Sequence, residues 1–248
     1  IDSKILNDLS GEKRLLDVGI SATNNNGIFN INIDKIENLA LLYKGNLINL
    51  NASVKDLVYN MNSKSLSSGL INIDSDMPNG KYYDKLNASI NIDDIGYNIV
   101  SKIYTNGGVV NLEGTTNKSL EHRYKLEGQS INVVSFLKNI DMLNETDIKD
   151  KNLIYDFKVG LRGKGTNIAA NFEASSEYGQ YSNIEYEKMY IKGETKNILN
   201  SKIDLSVNFD ELWYNYQRLT DVKTNLEVDR NEINVLNFSN NKLSAKGR

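Results

Sequence analysis

Cysteine is absent from this 248-residue chain, and proline and histidine occur once each. Without cysteine there is no disulfide framework, no thiolate metal site and no cysteine nucleophile. The sole histidine, His122, rules out a His-rich metal site. One His could serve a triad, but no nucleophile-elbow or similar motif accompanies it, so it reads as a lone surface residue. Scarcity of proline suits a chain made mostly of paired strands, because proline cannot donate to a ladder. Long hydrophobic runs are missing too. None approaches the ~18 residues that a membrane-spanning helix needs, and nothing resembles a signal peptide. Nor is there an excess of one charge: 29 Lys and Arg against 32 Asp and Glu leave a net charge of −3. The basic residues form no stripe along the sequence, so nucleic acid is not an expected partner. The chain opens on Ile1 and closes on the strand-like stretch from Lys242 to Arg248, which reads as a segment cut from a longer protein.

What is present is alternation. Phe29, Ile31 and Ile33 alternate with Asn30, Asn32 and Asp34; Leu86, Ala88, Ile90 and Ile92 alternate with Asn87, Ser89, Asn91 and Asp93. Ile168, Ala170, Phe172 and Ala174 make a third row, and Ile203, Leu205, Val207 and Phe209 a fourth, against Asp204, Ser206, Asn208 and Asp210. Successive side chains of a strand point to opposite faces, so each segment has one apolar and one polar face. Turn signals punctuate the rows at Asn24 to Gly27, Met77 to Gly80, Asn106 to Gly108 and Gly163 to Gly165. Asparagine, which tolerates left-handed backbone and suits turns, occurs 37 times. The pattern predicts an all-β, long antiparallel meander of roughly 14 to 16 strands.

Three stretches depart from period two. From Ile131 to Leu143 the apolar residues fall at three- and four-residue steps, which predicts a short amphipathic helix. Ile5 to Leu9 and Asp34 to Leu42 allow further helical turns. The polar loop from Asn144 to Lys151 then divides the chain, giving one β segment over 1–143 and a second over 152–248 that continues the same sheet. An apolar–charged–Gly motif recurs at 112–114, 126–128, 161–163, 191–193 and 245–247, too irregularly for a solenoid repeat, and is expected to mark strands ending at a glycine.

Catalytic chemistry finds no support, so the chain is not expected to be an enzyme or to hold a cofactor or metal. The acidic pairs Asp74/Asp76, Asp93/Asp94 and Asp147/Asp150 sit where turns and strand ends need solvated side chains, and no calcium-loop motif is present. Trp213, Tyr214 and Tyr216 are either an exposed binding patch or the aromatics of an ordinary strand. The apolar faces also allow two readings. They pack together as a sandwich or barrel core, or they line one side of an open sheet, a surface large enough to require a ligand.

Two stretches bear on this choice. The first is Tyr124-Lys125-Leu126-Glu127-Gly128-Gln129-Ser130-Ile131-Asn132-Val133-Val134-Ser135-Phe136-Leu137, a strand reaching a glycine and then a short apolar segment. The second runs from Ile198 to Gly247 and closes on Leu243-Ser244-Ala245-Lys246-Gly247. In both, the chain resembles the AsmA-like/TamB family of bacterial envelope proteins, the translocation and assembly module among the bridge-like lipid transfer proteins. The resemblance implies an elongated, taco-like open β-groove with a hydrophobic trough. It also implies a location in the periplasmic part of an inner-membrane-anchored protein. Phospholipid would be the cargo, an outer-membrane barrel assembly protein a partner, and outer-membrane biogenesis the process served. On this reading Ile90, Ile92, Phe172, Ile203, Leu205, Val207 and Phe209 line the groove. The alternative is a surface adhesin or structural β-solenoid whose apolar rows are sealed in a dry core.

Overall fold

The computed structural model describes residues 5–7, 13–15, 18–43, 46–77, 83–105, 108–133, 135, 153–181, 183–199, 202–229, 232–242 and 244–246. Two short strands, β1 (Ile5–Asn7) and β2 (Lys13–Leu15), form a ladder of their own. The next strands are β3 (Val18–Asn25), β4 (Ile28–Tyr43), β5 (Asn46–Asn60), β6 (Ser65–Asp76), β7 (Lys85–Ile92) and β8 (Gly96–Thr105). Then come β9 (Gly108–Asn117), β10 (Glu121–Asn132), β11 (Ile154–Lys164), β12 (Asn167–Tyr181) and β13 (Ile184–Thr195). The series ends with β14 (Ile203–Tyr214), β15 (Gln217–Asp229), β16 (Glu232–Ser239) and β17 (Ser244–Lys246). Strands β3 to β17 lie in sequence order in one antiparallel sheet of 15 strands, and its outermost strands do not pair with each other. The sheet is therefore an open meander and not a closed barrel. No helix among the described residues is long and apolar enough to cross a membrane.

The chain falls into two compact units, residues 1–105 with 112–119, and residues 106–111 with 120–248. Within each, the close backbone approaches between described strands are those of sheet neighbours. Strands β3 to β17 thus build one hydrogen-bonded sheet and not two. Few apolar side chains among the described residues are deeply buried: Met77 and Ile92 in the first unit, and Val110, Ile131, Tyr186, Met189, Val207 and Val222 in the second.

Three expectations need correction. Ile131 and Asn132 close strand β10, and helical backbone is described at Val133 and Ser135; the remainder of the expected 131–143 helix lies outside the described residues. Asp34 to Leu42 is strand, not helix. Its three-residue apolar spacing arises because β4 is bulged between Ile33 and Ile36 and again between Ile36 and Leu39, so these residues stay opposite Val54, Ala52 and Leu50 of β5. Each bulge inserts an extra residue and shifts the phase of the side chains by one. Ile5–Asn7 is strand as well. Finally, Gly114, Gly128 and Gly193 stand inside their strands and do not end them.

Candidate functional site: the apolar sheet face

Directly opposed residues of neighbouring strands project from the same side of a sheet. In the first unit this aligns Ile20, Ile33, Val54, Ile71, Ile90 and Ile99, one from each of β3 to β8. A parallel row runs Ile36, Ala52, Ile73, Ala88 and Ser101. In the second unit Leu126, Val159, Phe172, Gly193, Leu205, Leu226 and Val235 align across β10 to β16. Beside them run Gly128, Phe157, Ala174, Ile191, Val207, Thr224 and Phe238. At ~4.8 Å per strand, a seven-position row spans roughly 29 Å. No charged residue occupies these rows.

Glycines in the second-unit rows are filled by aromatic rings from the opposing strand. A Cβ at Gly128 would lie 2.2 Å from the ring of Phe157, and one at Gly193 would lie 2.3 Å from the ring of Phe172. Tyr186 lies over Gly179 in the same way. Each ring lies down across the glycine, flattening the face and covering backbone that the missing side chain would leave bare. Two members of the apolar–charged–Gly motif, Gly128 and Gly193, thus serve as seats for rings.

Part of the face is packed. Tyr186, Met189 and Val207 form a buried cluster, with Tyr155, Ile191, Phe209, Leu212 and Leu226 around it; the rings of Tyr186 and Phe209 are tilted with centroids 5.7 Å apart. The hydroxyls of Tyr155 and Tyr186 are 2.7 Å apart, and Tyr186 donates onward to Ser176 Oγ at 3.5 Å. Burial first, then the bond to Tyr186, pushes the Tyr155 phenol far above its ordinary range, so it stays a neutral donor. The rest of the rows are half-buried or open, with Ile20 at 42% and Val235 at 51% exposure.

The opposite face carries the charge. Lys192 pairs with Glu173 at 3.4 Å, Lys202 with Glu227 at 2.7 Å, and Lys125 with Glu127 at 2.9 Å. The bond from Lys125 holds the Glu127 carboxyl below its usual range. A polar cleft of about 730 Å³ on this face is lined by Arg162, Asn171, Glu194, Lys202, Asp204 and Glu227. Among the described residues no group of three His, Cys, Asp or Glu is arranged to hold a metal ion.

Of the expected lining residues, Ile90 and Ile92 share the face of the first unit, Ile90 between Ile71 and Ile99, Ile92 between Gly69 and Tyr97. Phe172, Ile203, Leu205, Val207 and Phe209 share the face of the second. There Phe172 and Leu205 flank Gly193 from either side. Ile92 and Val207, at 9% exposure each, are packed in and not open. Tyr155, Tyr186, Met189 and Val222 also belong to the face and were missed. Tyr186 and Met189 are three residues apart in sequence, because the left-handed backbone at Lys188, φ 46°, interrupts the alternation of β13 between them while the register to β14 is kept.

Other candidate residues have local duties. Asp93 Oδ1 accepts the N–H groups of Ile95 and Gly96 in the β7–β8 turn. Asp76 accepts from Asn49 Nδ2 at 2.9 Å, and Asp74 from Asn87; Asp147 and Asp150 lie outside the described residues. His122 is half-buried in β10, its ring centroid 6.5 Å from that of Tyr124. Trp213 lies under the Arg218 guanidinium, 5.9 Å from the ring centroid, whereas Tyr214 and Tyr216 are exposed. The sequence matches no protein-family model, and neither curated proteins nor solved structures gave a significant match.

Proposed function

We propose that this chain is a section of a periplasmic bridge that binds phospholipid by its acyl chains along the apolar sheet face and conducts it without bond chemistry. The observation that carries the reading is the openness of that face: uncharged rows six and seven strands wide on an open sheet, with Ile20 and Val235 half exposed at their ends. Monomeric proteins rarely leave contiguous apolar patches beyond a few hundred Å² open to water. Acyl chains suit such a surface, since each buried methylene contributes about 0.8 kcal/mol and needs no polar partner. A row of roughly 29 Å exceeds the ~15 Å depth of one bilayer leaflet's hydrocarbon, so a whole chain fits along it.

The family resemblance supplies the rest of the reading: the periplasmic location, an inner-membrane anchor outside this segment, an outer-membrane barrel assembly partner, and a role in outer-membrane biogenesis. A sealed adhesin or solenoid core would need a second layer over the rows, and the exposure of Ile20 and Val235 favours the open reading.

The test is mass spectrometry of lipid extracted from natively purified protein. Reproducible phospholipid is expected, and Ile203→Glu with Leu205→Glu should abolish it while circular dichroism still reports paired strands. These positions are half-buried, whereas Val207 is packed under Tyr186 and Met189 and would report on folding instead. A folded protein free of lipid, or lipid retained by the double variant, sinks the proposal.

A further inference from the structure

The second unit carries a feature that lipid conduction along the apolar face does not use. Three hairpin tips lie side by side on one long edge: Leu120 before β10, the β11–β12 tip at 165–166, and the β13–β14 tip at 196–199. Backbone bonds stitch them together. The Gly165 N–H donates to the Leu120 carbonyl at 2.8 Å, and the Ile198 N–H to the Ile168 carbonyl at 2.8 Å.

These tips present large apolar side chains to water. Leu120 is 57% exposed and Leu199 61%, with Ile198 beside it. Leu120 also has φ 58°, a left-handed conformation that a leucine adopts at a cost and an asparagine tolerates. Immediately inward from the tips, a cleft of about 470 Å³ is lined by Arg123, Arg162, Lys164 and Lys196, with Glu121 as its one carboxylate. Arg123 and Arg162 are direct cross-strand partners. Like charges so placed repel each other in the free protein; Glu121 faces Lys164 across the same strands, which leaves the cleft with a surplus of cations. In a chain of net charge −3 this is a local reversal of sign.

We infer that this edge docks on an anionic bilayer surface, Leu120, Ile198 and Leu199 entering the interface while the four cations lie against lipid phosphates. Charge complementarity selects the occupant. Apolar tips flanked by a surplus of cations match the two layers of an anionic membrane surface, acyl boundary below and phosphate above. The inference does not rest on the groove: its residues lie on the tips and the charged face, and Leu205→Glu leaves it untouched.

Flotation of the 248-residue protein with vesicles tests it, comparing phosphatidylcholine alone with a mixture containing phosphatidylglycerol. Binding to the mixture only, weakening with added salt, is expected. Arg162→Ser with Lys196→Ser should lower partitioning about thirtyfold, from about a fivefold contribution per cation near such a surface. Leu120→Asn should move two readouts in opposite directions, raising the melting temperature by relieving the left-handed leucine while weakening vesicle binding. Because the chain has no cysteine, Leu199→Cys and Tyr216→Cys each place a single environment-sensitive fluorophore, on this edge and on the opposite one. A blue shift at position 199 and none at 216 is expected. Equal binding to both vesicle types, unchanged partitioning in the double variant, or a shift at 216 in place of 199 overturns the inference.

Discussion

Phe172 and Gly193 face each other across β12 and β13, and the size of one depends on the absence of the other. An alanine at 193 would bring its Cβ within 2.3 Å of the Phe172 ring and 2.7 Å of Leu205 Cδ2. The ring would have to leave its rotamer and stand up from the face. Gly193→Ala is therefore expected to destabilise by about 1–3 kcal/mol in urea unfolding, and Phe172→Leu in the same chain should recover part of it. Additive losses would show that the ring and the glycine do not interact. A second residue-scale prediction concerns Tyr155, whose phenol is raised far above its ordinary range by burial and by Tyr186. The folded state keeps this proton where the unfolded chain releases it near pH 10. Its contribution is thus fully present below that pH and is lost as pH rises above it. Tyr155→Phe should flatten the decline in melting temperature above about pH 10, and an unchanged slope would remove Tyr155 as its cause.

At the scale of the strand, bulges organise the molecule, and its many asparagines have a part in them. Where a bulge turns a backbone N–H away from its ladder partner, an Asn or Asp on the adjacent strand accepts it. The Asn38 N–H donates to Asn51 Oδ1 at 2.9 Å, the Asp56 N–H to Asn32 Oδ1 at 2.6 Å, and the Ser130 N–H to Asp156 Oδ1 at 2.7 Å. All three donors have positive φ and stand at interruptions of the pairing register. Asn51→Ala should cost about 1 kcal/mol and speed exchange of the Asn38 amide, while Asn51→Asp, which keeps the acceptor oxygen, should do neither. Bulges also explain what was legible in the sequence. From Ile203 to Phe209 alternation is unbroken, and the strand, its face and its lining residues could all be read directly. From Asp34 to Leu42 two bulges convert the period from two to three, which mimics a helix. A left-handed residue without a register shift, Lys188, hid Tyr186 from the row that contains Met189. Ring seats such as Gly128 were visible as glycines but not as seats, because their meaning lies in Phe157 of the next strand.

For the molecule as a whole, the period-two pattern predicts a two-faced sheet equally well whether its apolar side is covered or open, so the sequence could not decide between them. The distinction lies in which strands touch, and here each strand of a unit rests on its neighbours in the sheet. Stability built this way is close to a sum of nearest-neighbour terms, as in repeat proteins, with the cluster around Tyr186 the one described packing that reaches past the next strand. A defect should therefore stay local. Hydrogen exchange measured on Gly193→Ala should show faster exchange in β12, β13 and β14, the strands that meet at the Phe172–Gly193–Leu205 contact, while β5, β6 and β7 keep their original rates. Acceleration spread evenly over both units would mean that the sheet opens as one cooperative body. Bound lipid should change the pattern in the opposite sense. An acyl chain lying along the row from Leu126 to Val235 touches seven strands at once and couples strands that otherwise meet mainly their neighbours. Delipidated protein should accordingly exchange faster than lipid-loaded protein across the whole of β10 to β16, and the Gly193→Ala defect should spread less far when lipid is present.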